Sequence, residues 1–441
     1  MLLQGNTQPK MVVLGLDGLS LALAQLLCTR RSLPGLQHLL DQGASAMFSE
    51  LPELSPVNWT SFYTASGPET HGIFGFTQLH PGNYQLQVAN FSQVACPAIF
   101  DRLGQKGLQN RVINLPNTYP ARAIPGMLIS GFVATELHKA VYPDFLLPRL
   151  RQENYKLDAD TSKGGQDPDF LLAELRACLS SRHKALNMLW PDLSWNLFVL
   201  VLTELDRLGH FLYPALEEPD HPWHSLCMEF IQEWDGQICD VLTRYQELGD
   251  PKRLLVLADH GFQRLKTEIN LNSWLLNQGF LKYINTPQNE WDSTVISPES
   301  KAFALDPGRI YLHTADRYAR GKVSERDRQS LKLELKSGLQ SLNFQGQQVM
   351  AEILDGDQLY PHCTHGHKPD LVCFPQPGFD LKAKFDHRAM FGFFGRYGTH
   401  DARDAFFLDS HGESAQRVRQ AGEKVLDFFC PAQSKRNIHA H

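Results

Sequence analysis

The sequence predicts an α/β protein built on a mainly parallel sheet with helices on both faces, and three observations carry that reading. Short apolar runs alternate with longer segments of helical periodicity, the pattern of strands joined by crossover helices. Three of those runs lead straight into acidic residues, Asp17, Asp206 and Asp259, and such sheets bind ligands beyond the carboxyl ends of their strands. At 441 residues the chain is longer than one hydrophobic core usually serves, so a large domain carrying inserted cap segments is expected.

Taken in order, residues 11–16 (MVVLGL) read as a strand that delivers Asp17-Gly18, and residues 33–40 as a helix turning at Gly43. A further helix begins at Ser55-Pro56, and residues 98–103 are helical. Residues 111–115 (RVINL) form a strand running into the loop Pro116-Asn117-Thr118-Tyr119-Pro120. The next stretch is rich in proline, glycine and charge and opens a first cap segment, 121–190, which ends in a helix over 170–189. Residues 196–203 are a buried strand leading into Glu204-Leu205-Asp206, followed by a long helix over 224–246. Residues 253–258 are another strand, ending in Asp259-His260-Gly261. A second cap segment, 280–395, holds a strand at 309–313, a helix at 324–342 and a strand at 370–374. A last strand at 405–408 and a terminal helix at 414–428 complete the series, with no internal repeat.

The 42 basic and 48 acidic residues give a net charge of −6, which argues against coating nucleic acid. The balance leaves room for a small anionic substrate held by metal ions. Eight cysteines without a CxxC pair suit a reducing compartment. The N-terminus lacks a basic segment followed by a long apolar stretch, and the longest apolar run is too short to span a bilayer. The expectation is a soluble, cytoplasmic protein with no membrane partner.

Ser55 precedes Pro56, and proline is pre-organised for the first turn of a helix. Ser55 therefore stands at a helix N-terminus, where unpaired N–H groups and the dipole favour an anion. It is either an N-cap or a nucleophile for a phosphoryl group. The residues that follow strands elsewhere bear on that choice: Asp17, Asp206 with His210 four residues on, Asp259-His260, and His400. Each has a plain alternative, namely a turn at Asp17-Gly18, a surface pair for Asp206 and His210, and a loop histidine at 400. Together, three carboxylates and three imidazoles suit two divalent ions, zinc first, with manganese or iron also compatible. Such a pair would acidify the Ser55 hydroxyl, stabilise the leaving oxygen and later activate water. Asn58, three residues after Ser55, is expected to donate its amide to a non-bridging oxygen. Trp59, Phe62, Tyr119 and Phe262 are candidate pocket walls or core residues.

These motifs occur in a recognisable order: LGLDG at Asp17, Ser55 with Asn58 ahead of Pro68-Glu69-Thr70-His71-Gly72-Ile73, Asp206-Arg207-Leu208-Gly209-His210, Asp259-His260-Gly261 and Gly398-Thr399-His400. Over residues 11–412 the sequence resembles the type I phosphodiesterase/nucleotide pyrophosphatase family of the alkaline phosphatase superfamily. The resemblance implies an α/β/α sandwich around a mixed, mostly parallel sheet, with two zinc ions in the site. It implies that Asp206, His210 and His400 hold one ion, and that Asp17, Asp259, His260 and the nucleophile Ser55 hold the other. It also implies a phosphate contact for Asn58. Serine stands here where threonine is frequent in the family, and it supplies the same hydroxyl.

The expected activity is hydrolysis of a phosphodiester or nucleotide-like substrate through a phospho-serine, with Asn58 in place of an arginine favouring a diester. The alternatives are a phosphomonoesterase, a phosphomutase-type isomerase on the same scaffold, and a binding protein that keeps metals without turnover. One run stands outside this set. His362, Cys363, His365 and His367 read as a polar loop near the cap or as a separate metal-binding loop. His71 is read as structural.

Overall fold

The computed structural model describes residues 8–431. Its centre is an eight-stranded sheet. In chain order the strands are β1 (Lys10–Leu16), β2 (Ser45–Met47), β3 (Asn110–Leu115), β4 (Gly126–Ser130), β5 (Val141–Tyr142), β6 (Leu197–Leu202), β7 (Lys252–Leu257) and β8 (Ala405–Asp409). In space they run β2-β8-β7-β1-β6-β3-β4-β5. The central strands β7, β1, β6, β3 and β4 are parallel, while β5 on one side and β8 on the other run antiparallel to them, and β2 pairs antiparallel with β8. The sheet is thus mixed and mostly parallel, as the alternating pattern requires.

Apart from its first residue, β1 is buried throughout, as are all six residues of β6, because helices cover both faces of the sheet. The covering helices include α1 (Ser55–Thr64), α2 (Pro168–Leu189), α3 (Glu204–Glu217), α4 (His224–Gln246) and α5 (Val418–Phe429). All ten residues of α1 are buried, with α5 packed across it. A helix this enclosed cannot carry a polar side chain without giving it a partner or a function.

The two cap segments expected from the sequence differ in what they build. Most of 121–190 belongs to the large sheet and its covering layer: β4 and β5 extend the sheet, and α2 packs into the main core. Only the loops carrying Phe132, Asp158 and Thr161 reach the cavity described below. The reason is the apolar spacing within 126–142 and 170–189, which lets these residues bury against the sheet. In the second segment, Ala302–Leu305, Arg309–Leu312, Leu371–Pro375 and Met350–Asp355 form an antiparallel sheet of their own. A separate apolar cluster that includes Leu275, Phe303, Leu312 and Leu335 supports it. Among the described residues no helix is long and apolar enough to cross a membrane.

Candidate active site

Parallel register places the acidic residues at one level. Leu16 pairs with Leu202 and Gly15 with Leu257, so Asp17, the start of α3 and Asp259-His260 all emerge at the same edge of the sheet. Gly18 turns the chain away at φ +76°, and a Cβ there would lie 3.0 Å from the Asp206 backbone. Glycine alone meets both demands without strain. Asp206 and His210 share a face of α3, with Asp206 Oδ1 3.5 Å from His210 Nε2. His400 arrives on the strand Gly398–Asp401, which pairs antiparallel with Gly261–Arg264 so that His400 lies opposite Phe262. A Cβ on Gly398 would meet the Gly209 carbonyl oxygen at 2.3 Å; the missing side chain is what lets this strand cross α3 closely.

Ser55 is the first residue of α1 and Leu54 its N-cap, which makes no side-chain capping bond. The Ser55 hydroxyl lies 3.3 Å from His260 Nε2, and the residue is 4% exposed. The N-cap alternative therefore falls: the hydroxyl is turned towards the histidines and carboxylates.

The three imidazoles are oriented alike. Nδ1 of His400 donates to the Glu53 carbonyl at 2.7 Å, Nδ1 of His260 to the Gly261 carbonyl at 3.0 Å, and Nδ1 of His210 faces the Gly398 carbonyl at 3.4 Å. A carbonyl only accepts, so these contacts put the proton on Nδ1 and turn each Nε2 lone pair inward. The His210 and His400 Nε2 atoms lie 3.2 Å apart, and Asp206 Oδ1 is 3.3 Å from His400 Nε2. His260 Nε2 sits 3.2 Å from Asp259 Oδ2, 3.8 Å from Asp17 Oδ1 and 3.9 Å from Asp206 Oδ1.

Acceptors therefore face acceptors. Asp17 Oδ1, Asp206 Oδ1 and Asp259 Oδ2 are buried without a hydrogen-bond partner. Their sister oxygens are supported: Trp59 Nε1 donates to Asp17 Oδ2 at 2.9 Å, and Arg207 to Asp206 Oδ2 at 2.5 Å. Burial, then Asp259 and Asp206, push the Asp17 carboxyl well above its ordinary range. Burial and Asp206 raise Asp259 to about 7. Burial would raise Asp206 as well, but His210, His400 and Arg207 outweigh it and hold this carboxyl well below its usual value. Burial keeps His210 and His260 neutral by lowering both. Such a cluster is costly unless cations bind it. Two groups have the spacing of ion sites, Asp17 with Asp259 and His260, and Asp206 with His260 and His400. Oxygen and imidazole nitrogen donors fit zinc, manganese or iron.

A cavity of about 520 Å³ opens above this cluster. Ser55, Asp206, His210 and His400 form its floor, and Phe76, Phe132, Arg207 and Phe211 stand beside them. The second cap segment closes it from above with Pro307, Phe379, Lys382 and Lys384.

Several sequence expectations need correction. Asn58 does not reach the cavity. Helical side chains lean towards the N-terminus, and here the chain entering α1 doubles back across that end. The Asn58 amide donates to the carbonyls of Glu50, Pro52 and Leu54, and its oxygen accepts from the Glu50 N–H at 2.6 Å. Trp59 and Phe62 are core, and Phe262 packs beneath His210, His260 and His400 instead of lining the pocket. Tyr119 is likewise absent from the cavity wall. The metal-loop alternative for His362, Cys363, His365 and His367 loses to the plain one: His367 bonds the Gly72 carbonyl at 2.6 Å, and His365 faces the Thr70 carbonyl at 3.3 Å. His71 is structural, accepting the Ile73 N–H and facing Ser61 Oγ at 2.9 Å. The wall residues Phe76, Phe132, Asp158 and Arg207 had no role in the sequence reading. The only signal was that Arg207 directly follows a candidate ligand.

This sheet order, with candidate ligands at the carboxyl ends of its parallel strands, defines an alkaline phosphatase-like α/β fold. The chain belongs to the type I phosphodiesterase/nucleotide pyrophosphatase family, whose model matches residues 11–412, and is by that membership a phosphoric ester hydrolase. Among solved structures it is similar to phosphonoacetate hydrolase from Sinorhizobium meliloti 1021 in complex with phosphonoformate (TM-score 0.63, 14% identity, 96% of each chain covered). It is also similar to alkaline phosphatase PafA (TM-score 0.60, 13% identity, 96% of each chain). A third neighbour is murine ectonucleotide pyrophosphatase/phosphodiesterase 5, an inactive form in complex with AMP (TM-score 0.54, 12% identity, 96% of this chain and 95% of that one). No curated protein matches the sequence.

Proposed function

We propose that the protein is a two-metal phosphohydrolase that cleaves a phosphodiester or nucleotide-like substrate through a covalent phospho-serine at Ser55. One observation carries this reading: three partnerless carboxylate oxygens and three inward-facing Nε2 atoms converge beside the Ser55 hydroxyl. Asp206, His210 and His400 would hold one ion, and Asp17, Asp259, His260 and Ser55 the other. Bound there, divalent ions supply Lewis acidity that acidifies a coordinated hydroxyl and neutralises phosphoryl charge.

The chain's own residues do the rest. Trp59 fixes the Asp17 carboxylate, and the carbonyls of Glu53, Gly261 and Gly398 fix the three imidazoles. Ser55 presents its oxygen at the N-terminus of the ten-residue α1, where backbone N–H groups favour the phosphoryl anion. Ser55 Oγ attacks phosphorus as the ester oxygen leaves with its electron pair and takes up a proton. Water then attacks phospho-Ser55, releasing the phosphorylated product and restoring the hydroxyl.

A small phosphorylated substrate is also in keeping with the neighbours, one solved with phosphonoformate and another with AMP. The diester preference rests on family membership and on a cavity roomy enough for a second substituent. Its sequence argument, an amide where an arginine would otherwise stand, is withdrawn because Asn58 points away. The guanidinium of Arg207 in the cavity wall favours a phosphomonoester as the second reading.

The test pairs metal analysis with hydrolysis of bis-p-nitrophenyl phosphate and p-nitrophenyl phosphate, by wild type and Ser55→Ala. About two metals per chain, diester preference and loss of turnover in Ser55→Ala are expected. Monoester preference keeps the site and replaces the substrate class. Full activity in Ser55→Ala removes the phospho-serine.

A further inference from the structure

We propose that the roof of the cavity is a subsite for a polyhydroxylated organic group, a sugar or polyol, carried by the phosphoryl group above Ser55. The proposal rests on the hydrolase reading above and names the substrate class of that same site.

The second cap segment makes this roof. Its strand Phe379–Lys382 and the residues just after it alternate in direction, as extended chain does. Leu381, Ala383 and Phe385 are buried in the apolar cluster of the segment, while Asp380, Lys382 and Lys384 line the cavity. Each lysine stands between two carboxylates that line it too. Lys382 Nζ lies 2.6 Å from Asp380 Oδ2 and 3.8 Å from Glu268 Oε1. Lys384 Nζ lies 3.2 Å from Glu290 Oε2 and 3.3 Å from Asp306 Oδ2. Backbone groups fix two of the acids: Glu268 Oε2 accepts the Phe394 N–H at 2.6 Å, and Asp306 Oδ1 accepts the Ala383 N–H. Lys382 interacts through space with His210, and Asp380 with Glu53 beside His400, so this face overlies the His210 and His400 side of the cluster.

Four carboxylates against two ammonium groups decide what this roof accepts. A second anionic group on the substrate meets excess negative charge. An apolar group strips water from the paired charges and returns no hydrogen bond. A cationic group finds its place taken, because Lys384 already lies between Glu290 and Asp306 and 4.5 Å from the centre of the Trp291 ring. A hydroxyl both donates and accepts, so a single one bonds a carboxylate and a lysine together. Hydroxyls on neighbouring carbons match a surface on which the two kinds of group recur side by side. At about 520 Å³ the cavity has room for one sugar ring besides the phosphoryl group.

The experiment uses the metal-reconstituted full chain carrying Ser55→Ala, which stops turnover, alone and combined with Lys382→Met, Lys384→Met or Glu290→Ala. Calorimetry gives the Kd of glucose 1-phosphate, methyl phosphate, butyl phosphate, phosphocholine, 3-phosphoglycerate and AMP, and metal content is measured for each protein. Inhibition constants with wild type repeat the ranking where Ser55 is intact. Glucose 1-phosphate is expected to bind about tenfold more tightly than methyl phosphate, the gain of one hydrogen bond to a charged group. Each roof variant should lose that advantage while its affinity for methyl phosphate stays unchanged, a difference that mere loosening of the fold does not produce. Glu290→Ala, at the more exposed end of the roof, keeps the test open should Lys382→Met fail to fold. Glucose 1-phosphate that binds no better than methyl phosphate overturns the proposal. So does tightest binding of butyl phosphate, phosphocholine, 3-phosphoglycerate or AMP, and so do variants that weaken glucose 1-phosphate and methyl phosphate alike. Wild type that hydrolyses neither p-nitrophenyl ester sinks the hydrolase reading, while the affinities still decide the roof.

Discussion

His400 donates its Nδ1–H to the carbonyl of Glu53 at 2.7 Å, across 347 residues of sequence. Glu53 lies two residues before Ser55, so one hydrogen bond ties the last candidate ligand of the cluster to the loop that starts the helix of the proposed nucleophile. His400→Ala removes both the inward Nε2 and this tie. Metal content should fall from about two ions per chain towards one, and turnover on the order of a hundredfold or more, as when one member of a concerted site is lost. His400→Asn can still reach the Glu53 carbonyl, so it should lose metal while keeping more of the wild-type melting temperature. Equal metal content in wild type and His400→Ala would remove His400 from the ion site.

The titration of the cluster sets a pH dependence for the metal-free protein. Asp259 is raised to about 7 and Asp17 well above its ordinary value, chiefly by burial. A carboxyl raised in the folded state stabilises below its unfolded pKa and loses that contribution as pH rises through the folded value. His210 and His260 are lowered by burial, so their contribution is present at high pH and lost as pH falls below the ordinary imidazole value. On the acid side of pH 7 the two effects therefore oppose each other, and above about 7 Asp259 adds no further loss. Saturating zinc at neutral pH should raise the melting temperature of the metal-stripped protein, since the ionised carboxylates are then paired. No rise, read by scanning fluorimetry, would contradict this.

Asn58 holds the turn that leads into α1. Asn58→Ala should cost about 2–4 kcal/mol, because it strands a buried N–H and several carbonyls. Asn58→Asp should be worse, since it sets a carboxylate against the carbonyls of Glu50, Pro52 and Leu54. The properly folded fraction of Asn58→Ala should keep the wild-type ratio of monoester to diester hydrolysis. A changed ratio would return Asn58 to the substrate site.

His367→Ala tests the histidine run. The imidazole joins the cap to the Gly72 carbonyl and packs against Phe74 at 5.5 Å. The expected result is a lower melting temperature, by several degrees, at unchanged metal content. Loss of one equivalent of metal would restore the metal-loop alternative.

By itself the sequence determined the strand ends and the types of residue at them. The apolar runs of β1, β6 and β7 stop where Asp17, Thr203 and Asp259 begin, and parallel register then needs nothing more to bring the three acidic sites to one edge. Ser55 and Pro56 likewise announced a helix N-terminus. Tertiary structure alone decided the rest, because it depends on where side chains point after distant segments meet. The Asn58 amide turned to the backbone of its own turn, a choice that no spacing encodes. His400 came to face His210 only because Gly398, lacking a side chain, lets its strand cross the α3 backbone at Gly209. Arg207 entered the cavity wall because Asp158 and Phe132, from two loops of the stretch rich in proline, glycine and charge, close around it. Local periodicity fixes which residues sit at a strand end or on a helix face, whereas contacts between segments hundreds of residues apart fix which of them share a cavity.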